Sequence, residues 1–144
     1  MVCITALYTF GACQKEDKLD KDNLQCPVVA KDGPNNDIVG KWKLVKVQPA
    51  FSNPRTEDYS CGNVEYEFQE GGILIVTGSA ENIRGYDDGQ YSFEFKDIKL
   101  HEGIKEKYTV KIDDMSIACG IQDNKMVLND SFLDGDILYF VRIE

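Results

Sequence analysis

Few side chains in this sequence are suited to covalent or metal chemistry: the cysteines Cys3, Cys13, Cys26, Cys61 and Cys119, and a single histidine, His101. A nucleophilic site needs a base within reach of the nucleophile, itself oriented by a third group. His101 lies in Lys99-Leu100-His101-Glu102-Gly103, a polar connection that offers no such partner. It reads as a solvated surface residue. The cysteines occur singly, without the paired spacing of a zinc site. Asp87-Asp88-Gly89 and Asp134-Gly135-Asp136 share carboxylates with calcium loops but lack the full ligand set, and turn formation accounts for both. Carboxylate pairs of the kind that hydrolyse glycosides arise by chance in a chain with 25 acidic residues. The expectation is no catalytic residue, no metal and no cofactor: a protein that encloses or contacts something rather than transforming it.

The elements that would do the enclosing begin near Ile38. Trp42 and Leu44 lie between Lys41, Lys43 and Val45, and the apolar parity changes at Leu44-Val45, which predicts a β-bulge. Val64, Tyr66 and Phe68 alternate with Glu65, Glu67 and Gln69. Gly71-Gly72 turns the chain into residues 73–77. Tyr91, Phe93 and Phe95 alternate with Ser92, Glu94 and Lys96; Tyr108, Val110 and Ile112 alternate with Lys107, Thr109 and Lys111. Asp113-Asp114, Asp123-Asn124 and Asp134-Gly135-Asp136 then turn the chain into strands at 115–119, 126–129 and 137–143. A period of two with frequent turns and almost no helical period predicts an all-β protein. Its fold class is an eight-stranded antiparallel up-and-down meander barrel, because closure removes the exposed edges of an open sheet. A two-sheet sandwich is the competing architecture.

Alternation points Tyr66, Phe68, Tyr91, Phe93, Phe95, Tyr108 and Met126 inward. They either line a ligand cavity or fill the barrel, since eight strands leave room for packed side chains or one small ligand. The long connection over residues 48–60, carrying Phe51, is expected at the open mouth as a lid, beside residues 82–88. A net charge of −9 argues against nucleic acid as a partner, because phosphate binding needs a basic surface.

Residues 2–12 are apolar, too short to span a bilayer, and end in small residues before an abruptly charged run, which is the shape of a secretory signal. Phe10-Gly11-Ala12-Cys13 resembles the lipobox of bacterial lipoproteins. That resemblance implies cleavage before Cys13, acylation of Cys13 and a membrane anchor. Residues 13–37 then read as the acylated cysteine and a flexible polar tether, and 38–144 as the barrel domain. The Lys/Glu/Asp run after Cys13 is similar to the export signal of surface lipoproteins in Bacteroidota, placing the protein at the outer membrane of the cell envelope.

Cys26, Cys61 and Cys119 remain available after that processing, and an oxidising compartment permits one disulfide among them. Cys61 precedes the second strand, at the end where the first strand finishes. Cys119 closes the sixth strand at the opposite end, and Cys26 precedes the first strand at that same end. Since a bridge needs Cα atoms within about 7 Å, strand direction predicts Cys26–Cys119 and not Cys61–Cys119. The alternative is that all three stay reduced.

Gly40-Lys41-Trp42 on the first strand of such a meander is similar to the signature of the lipocalins. In that family a tryptophan plugs the closed end of the barrel, and an arginine near the end of the last strand lies across its indole. The resemblance assigns these roles to Trp42 and Arg142. Residues 38–44, with the closing Leu138-Tyr139-Phe140-Val141-Arg142-Ile143, look like the lipocalin-like lipoproteins of Bacteroidota. The implied function is a membrane-anchored binding module for a small apolar or amphipathic ligand. The alternative is a solid barrel whose loops, with Phe51 foremost, meet a protein partner or a glycan. If Cys13 carries the anchor, labelled palmitate is incorporated into the protein in its source cells and Cys13→Ala abolishes the label; equal labelling of the variant would remove the anchor.

Overall fold

The computed structural model of the chain describes residues 23–50, 55–79, 84–98 and 106–144. Cys13, Phe51, His101 and the apolar segment 2–12 lie outside them. The strands are β1 (Gly40–Gln48), β2 (Glu57–Asp58), β3 (Glu65–Gln69), β4 (Ile73–Thr77) and β5 (Gly89–Asp97), followed by β6 (Tyr108–Ile112), β7 (Met115–Gln122), β8 (Lys125–Asn129) and β9 (Ile137–Arg142). A single 3₁₀ turn over Ser131–Leu133 precedes β9. Every neighbouring pair is antiparallel, and β9 returns to pair with β1 from Trp42↔Arg142 to Gln48↔Ile137. The result is a closed eight-stranded meander barrel, with the two-residue β2 extending the wall beside the upper part of β1. We call the Trp42 end the base and the Gln48 end the mouth.

The register shifts between Leu44 and Lys46 against β9, so Val45 is the extra residue of the bulge that the parity change predicts. The hairpins turn on residues with left-handed backbone, Asp113 (φ 47°) before β7 and Asp123 and Asn124 (φ 51° and 63°) before β8. Asp and Asn tolerate this conformation better than other non-glycine residues, and positive φ at both central positions matches the twist of the strands. Inside, Leu44, Tyr66, Phe68, Leu74, Ile112, Met126 and Phe140 are all at most 1% exposed. The lower barrel is therefore filled by side chains.

The cysteine pairing corrects the sequence-based expectation. Cys26 is bonded to Cys61, with Cα atoms 5.0 Å apart, and Cys119 is a buried free thiol. Cys26 does not sit at the base although it precedes β1. The Gln25 amide donates to the Asp58 carboxylate (2.8 Å) and the Cys26 amide to Ser60 Oγ (3.0 Å), placing both beside β2. The chain then descends the outer wall until the Lys31 amide reaches the Arg142 carbonyl (2.9 Å). The five residue steps from Cys26 to Lys31 span that height in a nearly extended conformation, at about 3.3 Å each. Counting strand directions could not see this detour. It has a purpose in packing: Val45, displaced by the bulge, and Val141, between the inward Phe140 and Arg142, lie outside the core cluster yet are 2% and 6% exposed. Residues 23–33, expected as tether, run across this side of the wall.

Burial pushes the Cys119 thiol up to about 12, with Glu106 adding to the shift. Alkylation of the native protein should therefore spare Cys119 until it is unfolded, and non-reducing peptide mapping should recover Cys26 joined to Cys61. Cys61→Ser is expected to cost about 2–4 kcal/mol in denaturant unfolding, as for a typical native bridge. A Cys119-containing bridge in the map would contradict this wall.

Candidate functional site

The base is closed by a cation over a ring. The Arg142 guanidinium carbon lies 4.1 Å from the Trp42 ring centroid, and Trp42 Nε1–H donates to the Ile38 carbonyl at 2.8 Å. Arg142 Nη1 donates to the Val39 carbonyl (3.2 Å), and Nη2 to those of Pro34 (2.8 Å) and Asp37 (3.0 Å). Arg142 is 2% exposed. Burial pulls its guanidinium below the usual value, while the Asp37 charge acts in the opposite direction. A Cβ at Gly33 would come within 2.6 Å of Arg142 Nε, so only glycine lets the chain pass there. Side chains of the same segment fasten it to the β7–β8 turn: Asn124 Nδ2 donates to Asp32 Oδ1 at 2.8 Å, and the Gly33 amide to Asn124 Oδ1 at 3.0 Å. Arg142 thus lies across the Trp42 indole at the base of the barrel.

The seven inward residues divide into two groups. Tyr66, Phe68 and Met126 are fully buried in packed interior. Tyr91, Phe93, Phe95 and Tyr108 are partly buried and pack against the core cluster. The reason is shear: β4 pairs with β5 only up to Ser92, whereas β6 pairs with Phe93–Asp97, so the lower half of β5 overhangs β4. Phe93 meets Phe68 edge-on at 5.0 Å and Phe95 lies 4.8 Å from Tyr108. None of the seven lines the cavity at the mouth.

That cavity opens at the mouth and has a volume of about 450 Å³, inside the roughly 300–1,000 Å³ range of small-molecule sites. Ile117, Leu128 and Leu138 give it an apolar wall. Each comes from the mouth half of its strand, where alternation points it inward. Tyr86, Met115, Arg84, Asp130 and Asp136 complete much of the lining. Tyr66 positions one wall from below. Its hydroxyl accepts the Tyr86 amide at 2.8 Å, and Gly85 (φ 106°) has no side chain because a Cβ would lie 2.6 Å from that oxygen. The Tyr66 hydroxyl thus anchors the loop that shapes the cavity. Tyr86 then packs edge-on against Tyr66 (6.4 Å) and Tyr91 (5.1 Å).

Comparisons of the chain with protein-family models, with curated proteins and with solved structures find no match. The site is therefore read from its own chemistry. Asp136 is already engaged, accepting the Ala50 amide at 3.0 Å and facing Arg84 Nη1 at 3.4 Å. Arg84 also lies 3.7 Å from Glu57, so one cation is shared by two carboxylates. Asp130 differs. It precedes the 3₁₀ turn without a side-chain cap hydrogen bond, and Gly135 faces its carboxylate with no room for a Cβ. Burial and then the Asp136 charge raise the Asp130 carboxyl above its ordinary value. Burial also pushes the Tyr86 phenol up to about 12, with Asp130 the largest charge contribution.

These residues were not singled out from the sequence as binding residues. Asp134-Gly135-Asp136 was legible only as a turn, and Tyr86 only as part of a connection. The available signal was strand parity: counting directions puts both Asp/Gly clusters at the mouth. Because the folded Asp130 carboxyl binds its proton more tightly than the unfolded one, its contribution to stability falls as pH rises through the carboxylate range. Asp130→Asn is accordingly expected to raise the melting temperature at pH 7, with the gain shrinking toward pH 3; a loss of stability at pH 7 would contradict the environment described.

Proposed function

We propose that this protein is a lipocalin-like binding module that holds a small apolar or amphipathic ligand in the mouth cavity, without turnover, and that acylated Cys13 keeps it at the outer membrane of the cell envelope. The observation that carries the reading is the cavity: an apolar wall beneath a polar rim, on a barrel whose lower interior is packed. Such a concavity buries hydrocarbon, while a few polar groups fix the orientation of whatever enters. The packed lower interior limits the ligand to the upper barrel, so a long chain would extend out through the mouth. The closed meander and the Trp42–Arg142 pair support the lipocalin-like reading, and the lipobox-like Phe10-Gly11-Ala12-Cys13 supports the anchor.

A second reading draws on the same rim. Phe132 and Leu133 are 65% and 67% exposed, and Met115 is 46% exposed. Large apolar side chains at one end of a solid barrel suit contact with a protein or glycan. The cavity beside them favours the small ligand.

The test is native mass spectrometry of protein purified from its source for a co-purifying molecule, together with titration of the ligand-free protein with 1-octanol followed by amide NMR. Shifts are expected at Tyr86, Leu128 and Leu138. Met115→Trp, which fills the cavity from its exposed edge, should weaken 1-octanol binding by about tenfold or more, a loss of roughly 1.4 kcal/mol. Undiminished binding in that variant, or shifts confined to other surfaces, would overturn the reading.

A further inference from the structure

We infer that the mouth cavity selects an amphipathic ligand with a cationic head, an ammonium or guanidinium group, seated between the Asp130 carboxylate and the Tyr86 hydroxyl. This rests on reading the cavity as a ligand site and adds the class of ligand. The apolar wall of Ile117, Leu128 and Leu138 takes hydrocarbon of any kind, so the choice of head group falls to the polar lining. Its single cation among the described residues, Arg84, is already held by Asp136 and Glu57. Asp130 has no such partner among the described residues. Its carboxylate is half-buried on the cavity wall, caps nothing and is wedged against Gly135. The Tyr86 hydroxyl likewise makes no hydrogen bond among the described residues, and its ring lines the same space.

A partly desolvated carboxylate without a partner is costly, and a charged donor entering beside it recovers that cost. An anionic ligand would instead meet Asp130, Asp134 and Asp136. A neutral one would strip water from Asp130 and give nothing back. A metal ion is a poorer occupant than an amine, because no three His, Cys, Asp or Glu side chains among the described residues converge to hold one. An ammonium needs only the one carboxylate, and the phenol oxygen can accept a second of its protons.

The experiment titrates the full chain with n-octylammonium, 1-octanol and octanoate by calorimetry at low ionic strength. Octylammonium is expected to bind about tenfold tighter than 1-octanol, with octanoate the weakest, and added salt should weaken the ammonium alone. Asp130→Asn should remove the preference, so that octylammonium and 1-octanol bind this variant equally, with melting measured in parallel to confirm that the variant is folded. If 1-octanol or octanoate binds as tightly as octylammonium, or if Asp130→Asn leaves octylammonium affinity intact, the cationic-head inference fails and the cavity reading stands. If none of the three binds, both fail.

Discussion

The pairing of β9 with β1 is the constraint from which the other features follow. It gives β1 a partner on both edges, β3 and β2 on one side and β9 on the other, and closes the sheet on itself. It also sets residue 42 directly opposite residue 142 on the inner face. A guanidinium buried at that point needs a compensating environment, and it finds one in an indole face and the carbonyls of Pro34, Asp37 and Val39. Lysine could not serve in the same way, because one compact ammonium cannot reproduce a planar fork over a ring. Those carbonyls belong to the segment that enters β1. The β1–β9 closure and the docking of the chain that leads into β1 thus share one side chain, Arg142.

Much of the wall was legible from the sequence because a period of two is a local signal. Tyr66 and Phe68 against Glu65 and Glu67, or Val110 and Ile112 against Thr109 and Lys111, declare a face whatever lies opposite. The bulge was legible too, since two adjacent apolar residues cannot both face inward without an inserted position. The cysteine pairing was not, because residues 23–33 have no strand period and their course is set by what the outer wall leaves uncovered. Val45 and Val141 read as ordinary strand residues until the bulge and the closure put both on the outside.

The binding side chains were hidden for a different reason. Alternation says which residues point inward but not at what height, and height decides between filler and lining. Tyr66 and Met126 point inward low in the barrel and are packed solid; Leu138, Leu128 and Ile117 are also buried but line the mouth cavity. The shear of the sheet, visible where β5 changes partner at Ser92, decides which inward aromatics are enclosed at all. Asp130 is recognisable only by what it lacks, and a missing partner has no sequence pattern. The molecule divides its work accordingly: a packed base in which the Arg142 Nη atoms are held by three carbonyls, and a rim that keeps an unneutralised carboxylate in reserve.

The bond between Cys26 and Cys61 also decides how mechanical load enters the barrel. Tension arriving from residues before Asn23 passes first to the Gln25–Asp58 hydrogen bond and then to a covalent crosslink into the wall. It does not reach the noncovalent contacts around Arg142, which lie further along the chain. A pull from that direction peels away two or three residues and stops, with the cylinder and its plug unloaded.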